Sequence, residues 1–137
     1  MRKLSIILAI IALLLIGQTA QLQITGRVDR VIDGDTIDIL DSASTRFRIR
    51  LDGIDAPESN QQYGKESTKK LSVLTLGKDV RILSSGRDRY GRFIGRIYIN
   101  NVDINLEMVK NGCAWHYKQY SKDEALAEAE IAPRNRN

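Results

Sequence analysis

The sequence predicts a mainly β domain of the α+β class, a closed five-stranded barrel carrying three helices. Five short segments alternate with period two, several with one polar face, and the helical patterns among and after them are brief. No repeat, linker or low-complexity stretch interrupts the pattern. A chain of 137 residues, 42% hydrophobic and 28% charged, has the size and composition of one globular domain.

The elements follow in order. Residues 23–32 and 36–40 read as strands flanking the tight reversal Asp33-Gly34-Asp35. Residues 46–51 alternate strictly, so Phe47, Ile49 and Leu51 are expected to face the core while Arg46, Arg48 and Arg50 share the opposite face. Three like charges on one strand face repel unless acids or a ligand anion lie opposite, and Asp38 and Asp41 are the expected partners. Residues 64–76 form a helix bounded by glycines, with Leu71, Leu74 and Thr75 inward. Residues 79–83 and 93–99 are two more strands, joined by a polar loop from Ser84 to Arg92. Residues 103–110 form a short helix ending near Gly112, and residues 122–131 a third, stopped by Pro133. Leu126 and Ile131 are the large apolar residues available to dock that last helix. Such short, half-polar strands with small helices fit a barrel of the oligonucleotide/oligosaccharide-binding (OB) type.

The first twenty residues stand apart. Met1-Arg2-Lys3 precedes an apolar run over residues 4–16, the layout of a secretory signal. Gln18 fits a cleavage site after Ala20 poorly, which leaves an uncleaved anchor open. The expected organisation is therefore a signal peptide or N-terminal membrane anchor over residues 1–20 and a folded domain over 21–137. The protein is expected to be secreted or extracytoplasmic or, as the alternative, membrane-anchored through residues 4–16 and facing outside the cytoplasm. From residue 21 onward 19 basic residues face 17 acidic ones, so placement of charge, not net charge, has to indicate a polyanionic partner. One histidine, His116, and one cysteine, Cys113, exclude an intrachain disulfide framework and a structural Cys/His zinc site. His116 reads as a surface or satisfied histidine, Cys113 as a buried inert thiol, and Trp115 as core.

Two acidic knots carry candidate chemistry. Asp33-Gly34-Asp35-Thr36 closes the first hairpin, and Asp52-Gly53-Ile54-Asp55-Ala56-Pro57-Glu58 follows the arginine strand. Separately, Asp-Gly is an ordinary turn and Ala-Pro an ordinary break. Together on a barrel, Asp35 and Asp55 would offer hard oxygen ligands suited to Ca²⁺ or Mg²⁺. Glu58, Arg50 and Arg92 add what phosphodiester hydrolysis needs: a general base and two planar forks for phosphate oxygens.

These motifs, with Asp88-Arg89-Tyr90-Gly91-Arg92 and the stretch from Asn105 through Gly112-Cys113-Ala114-Trp115, resemble the staphylococcal nuclease (thermonuclease) family, in order from about residue 24 to residue 130. The resemblance implies an OB-type five-stranded barrel with three helices and a Ca²⁺-dependent nuclease acting on DNA and RNA and leaving 3′-phosphate ends; the chain is expected to act as a monomer. By position it implies Asp35 and Asp55 as calcium ligands with the main-chain carbonyl of Ala56, Glu58 as general base, and Arg50 and Arg92 as the phosphate-binding arginines. Tyr90 matches the nucleotide-contacting tyrosine, with Arg89 beside it. The second tyrosine falls by ungapped counting on Lys118, flanked by Tyr117 and Tyr120. The alternative to a nuclease is a non-catalytic OB module that binds nucleic acid or protein.

Overall fold

The computed structural model describes residues 20–131 together with residues 3, 4 and 6. The expected signal or anchor segment over residues 1–20 therefore lies, apart from Lys3, Leu4, Ile6 and Ala20, outside the described residues, as does the helix stop at Pro133. Among the described residues no helix is long and apolar enough to cross a membrane.

Five strands close the expected OB-type barrel. They are β1 (Leu22–Asp33), β2 (Thr36–Leu40), β3 (Arg46–Leu51), β5 (Asp79–Arg87) and β6 (Phe93–Ile99). The neighbours run β3-β2-β1-β5-β6 in antiparallel pairs, and a parallel pairing of β3 with β6 closes the ring. Short β7 (Val102–Asp103) extends β6, while β4 (Ile54–Asp55) and β8 (Trp115–His116) form a separate two-stranded ladder. The helices are α1 (Gly64–Thr75), α2 (Ile104–Lys110) and α3 (Glu124–Ile131).

Alternation decides the core. Ile37, Ile39, Ile49, Leu51, Ile82 and Ile97 fill the barrel, and Leu71 of α1, Met108 of α2 and Leu126 of α3 close over it. Each fully buried Ile or Leu contributes about 1.5–3 kcal/mol. Asn105 is the polar exception. Its buried amide accepts from Ile97 N (3.1 Å) and donates to Asp52 O (2.8 Å) and Gly95 O (3.2 Å), tying α2 to β6 and to the turn after β3. Arg96 fastens the starts of α2 and α3: its guanidinium reaches Asp103 and Asp123, both at 2.8 Å, and these acids accept from Leu106 N and Leu126 N as caps.

Four expectations are corrected. Strand β5 runs to Arg87 instead of ending at Leu83, because a bulge between Ser84 and Gly86 is hydrogen-bonded by the Ser84 hydroxyl. Arg46 pairs with Asp29 (2.6 Å), not with Asp41, which instead accepts from Ala43 N and Thr45 N within its own turn. Ile131 is exposed: it lies five residues beyond Leu126 and so off its helical face, and Ala129, three residues on, shares the buried side. Trp115 is 51% exposed, because neighbouring strand residues point oppositely and His116 takes the inward place, its Nε2 3.1 Å from Ser121 Oγ.

Candidate active site

The end of β3 builds the centre. Arg50 faces Thr36 of β2 on one side and Ile94 of β6 on the other. Its Nη1 donates to the carbonyls of Leu51 (2.7 Å) and Ile54 (2.8 Å), which holds the guanidinium against the turn leading into β4. Its Nη2 lies 3.3 Å from Asp35 Oδ2 and 3.5 Å from Asp55 Oδ1. Two carboxylates, one from the first hairpin turn and one from β4, thus converge on one guanidinium nitrogen.

Asp35 is the buried member. Its Oδ1 accepts from Thr36 Oγ1 and its Oδ2 from Ala56 N, both at 2.9 Å, while Asp33 Oδ1 accepts from Asp35 N. Burial pushes its pKa up to about 6; Arg50 opposes the shift and Asp33 adds to it. The hairpin can approach α1 this closely only because residue 34 is glycine. A Cβ there would collide with Ser67 Oγ and crowd the Ala56 side chain.

Glu58 follows the buried Ala56-Pro57 pair and is itself exposed. Its N–H donates to Gln61 Oε1 (2.8 Å) and its carbonyl accepts from Gln61 N (2.9 Å). That carbonyl packs on Gly64, where a Cβ would overlap it, so the loop is pinned to the first turn of α1.

A groove of about 730 Å³ opens beside this centre, and its lining includes Arg50, Asp55, Arg89, Tyr90, Arg92, Tyr117 and Tyr120. Arg92 is aimed by Asp88, whose Oδ2 accepts from its Nε at 2.6 Å and whose Oδ1 accepts from Tyr90 N and Arg92 N. Burial works against the charge on Asp88, but these hydrogen bonds, led by the Arg92 side chain, hold its carboxyl below the usual range. Tyr90 is 69% exposed, with the guanidiniums of Arg89 and Arg92 5.0 and 5.5 Å from its ring centre.

Of the residues the sequence singles out, Arg50, Asp55, Arg89, Tyr90, Arg92 and Tyr120 meet in this groove. Asp35 stands behind it through Arg50, and Ala56 is tied to Asp35. Glu58 and Lys118 are not among the lining residues, and Lys118 pairs with Glu130 at 2.9 Å. The sequence alone assigns no role to Tyr117 or Asp88. A turn in which Tyr120 N and Ser121 N both donate to Tyr117 O sets the Tyr117 and Tyr120 rings edge to face, 4.8 Å apart, on the groove. The Asp-x-Tyr-x-Arg spacing is the signal for Asp88, since a turn-opening aspartate meets the N–H groups two and four residues on.

Among the described residues no three His, Cys, Asp or Glu side chains gather as a metal cluster. The donor set fits a hard cation nonetheless. Asp35 and Asp55 with a main-chain carbonyl are oxygen ligands of the kind Ca²⁺ takes, with water completing the shell. The raised pKa of Asp35 marks a carboxylate whose local positive charge does not offset its burial.

Barrel and groove together define an OB-type protein with guanidiniums and carboxylates gathered at one mouth and tyrosines beside them. The family model described as staphylococcal nuclease homologue matches residues 48–137, and the chain belongs to that family. It is 45% identical over 106 residues to a Haemophilus influenzae protein and 48% identical over 104 residues to an Escherichia coli protein, each named an uncharacterized endonuclease. It is also 38% identical over 118 residues to a micrococcal nuclease of Shigella flexneri. These matches cover 77%, 75% and 80% of this chain, and 60%, 67% and 67% of the relatives.

Proposed function

We propose that the chain is a Ca²⁺-dependent nuclease that hydrolyses phosphodiester bonds of DNA and RNA to 3′-phosphate ends, working as a monomer outside the cytoplasm. The observation that carries this reading is the convergence of Arg50, Arg92 and Asp55 on one groove beside exposed tyrosines. Asp35, Asp55 and the Ala56 carbonyl would hold Ca²⁺, which when bound supplies positive charge against the phosphate oxygens. Arg92, with its Nε on Asp88, offers its two terminal nitrogens, and Arg50, with its Nη1 spent on two carbonyls, offers Nε and Nη2, to the oxygens on which charge grows as phosphorus becomes five-coordinate. Asp88 and the Leu51 and Ile54 carbonyls fix where those guanidiniums point, so little reorganisation is left for the reaction itself. Glu58 takes the proton of the attacking water; the bond from phosphorus to the 5′ oxygen breaks, and that oxygen is protonated from solvent. Because water and not a ribose hydroxyl is the nucleophile, both DNA and RNA are substrates. Tyr90 and Tyr120 stack bases of single-stranded stretches, and Arg89 supports Tyr90. Export, or tethering through residues 4–16, rests on the basic start and apolar run of the sequence.

The test is degradation of plasmid DNA and of RNA with Ca²⁺ against chelator, in the wild type and in Glu58→Gln. Loss of about 10²–10⁴-fold in rate is expected for the variant; an undiminished rate overturns Glu58 as the base. One observation favours a second reading, a module that binds without cutting: the Glu58 side chain is exposed and outside the groove lining. Tight oligonucleotide binding in Ca²⁺ with no cleavage selects that module.

A further inference from the structure

Beyond the reaction groove, a second cleft of about 360 Å³ is lined by Asp38, Arg46, Arg48, Tyr90, Gly91 and Arg92. Tyr90 and Arg92 line both clefts, so one tyrosine and one guanidinium form the ridge between them. Arg46 and Arg48 come from the outward face of β3, the same face that delivers Arg50 to the groove. Both are about half exposed, at 50% and 47%. Arg48 spends Nε and Nη2 on Asp38 at 2.8 and 3.0 Å, and Arg46 spends Nη2 on Asp29. A guanidinium has five N–H donors, so each keeps donors for a further anion. Asp38 is only 1% exposed, and Arg30 lies 3.9 Å from it as well. Its one charge faces two arginines. With Arg46 on Asp29, Arg92 on Asp88 and both Arg48 and Arg30 on Asp38, the cleft and its margin carry one guanidinium more than these acids neutralise, beside an exposed aromatic face.

We propose that this cleft is a second phosphate subsite, in which Arg46 and Arg48 hold the backbone of a single-stranded polynucleotide that crosses Tyr90 from the reaction groove. The proposal rests on the nuclease reading above and deepens it. The preferred substrate is a strand long enough to fill both clefts, with a base stacked on the shared tyrosine. A dinucleotide reaches the reaction groove alone.

Fluorescence anisotropy tests this with a labelled single-stranded DNA dodecamer and a labelled thymidine dinucleotide. Binding is read in chelator across a range of salt, and cleavage separately in Ca²⁺. Arg46→Gln removes one fork at an exposed position. Arg48→Lys keeps a cation on Asp38, so that buried acid is not left unpaired, but gives up the planar fork. Dodecamer affinity is expected to fall about tenfold in Arg46→Gln. The slope of log affinity against log salt is expected to shallow by about 0.7. Arg48→Lys should weaken dodecamer binding with the slope kept, and dinucleotide cleavage should be unchanged in both variants. Wild-type affinity and slope in both variants overturn the subsite, and so does an equal loss on dinucleotide and dodecamer. Failure of the wild type to cut any nucleic acid in Ca²⁺ sinks the nuclease reading instead; a chelator-resistant dodecamer affinity sensitive to Arg46→Gln still supports the cleft.

Discussion

Replacing Arg50 by lysine separates what its charge does from what its shape does. The guanidinium bridges two carbonyls, Leu51 O at 2.7 Å and Ile54 O at 2.8 Å, while its second terminal nitrogen faces Asp35 and Asp55. A lysine ammonium is a compact point charge on a flexible stem and cannot span all four positions. If it recovers one carbonyl or one carboxylate, at least one charge-assisted hydrogen bond worth about 1.5–3 kcal/mol is lost. Taking about 2 kcal/mol, the melting temperature should fall by about 8 °C. The catalytic loss should be larger. A fork preorganised on the phosphate oxygens is replaced by a donor that must be positioned anew, and removal of one such donor costs about 10²–10³-fold in kcat. Steady-state cleavage of a fluorogenic oligonucleotide, run below the melting temperature measured for each variant, keeps the two effects apart. Urea titration followed by circular dichroism gives the stability term. A kcat within threefold of wild type, with the stability loss present, refutes the catalytic part. Unchanged stability refutes the bridging geometry.

Three further outcomes are expected. The Asp38 carboxyl is held below its ordinary value mainly by hydrogen bonds from Arg48, against the opposing effect of burial, with Arg30 and Arg46 adding to the shift. Its folded pKa thus lies under its unfolded one, so its stabilisation is complete above about pH 4 and is lost as pH falls through the folded value. Thermal scans between about pH 6 and pH 2 should show a steeper acid loss in wild type than in Asp38→Asn, and parallel curves would count against the pair. Asn105→Ala strands the Ile97 N–H and the Asp52 carbonyl in the interior. It should cost about 3 kcal/mol by urea titration, and a cost under about 1 kcal/mol would show that these groups find other partners. Trp115, the single tryptophan, pairs across β4 and β8 with Asp55. Its emission should therefore respond to added Ca²⁺ in the wild type and not in Asp55→Asn; a flat wild-type titration would argue against cation binding at Asp55.

Much of the barrel is written in period two. Arg46 to Leu51 fixes its own faces, since a one-residue slip would bury three arginines, and the structure keeps Ile49 and Leu51 inward. Residues 36–40 and 93–99 form strands with the bounds their alternation marks. Local pattern fails where side-chain chemistry replaces it. Ser84-Ser85-Gly86 reads as loop, yet the Ser84 hydroxyl satisfies the bulge and the strand continues. The two-residue strand β8 is too short for a period, so the large apolar Trp115 looks like core while His116 is the residue turned inward. Counting alone places Lys118 where a stacking residue belongs, but the turn at Tyr117 brings up residues three apart, Tyr117 and Tyr120, and leaves Lys118 to Glu130.

The candidate site depends on a second kind of information that no window of sequence carries. Asp35 and Glu58 sit on separate turns, and both turns are fastened to the same first turns of α1. Gly34 packs under Ser67, and the Glu58 carbonyl packs on Gly64. Either glycine, met in the sequence, is only a turn or a helix boundary. Met in the fold, each is a contact with no room for a methyl group, and α1 becomes the common support that sets how far apart two carboxyl-bearing turns stand. Arg50 supplies the third tie, reaching Asp35 and Asp55 from the strand between those turns. The spacing of the acidic groups is therefore set by one helix, one guanidinium and the Ala56 N–H that Asp35 Oδ2 accepts, ties that neither motif carries alone. This is why each motif alone is ordinary and their conjunction is not.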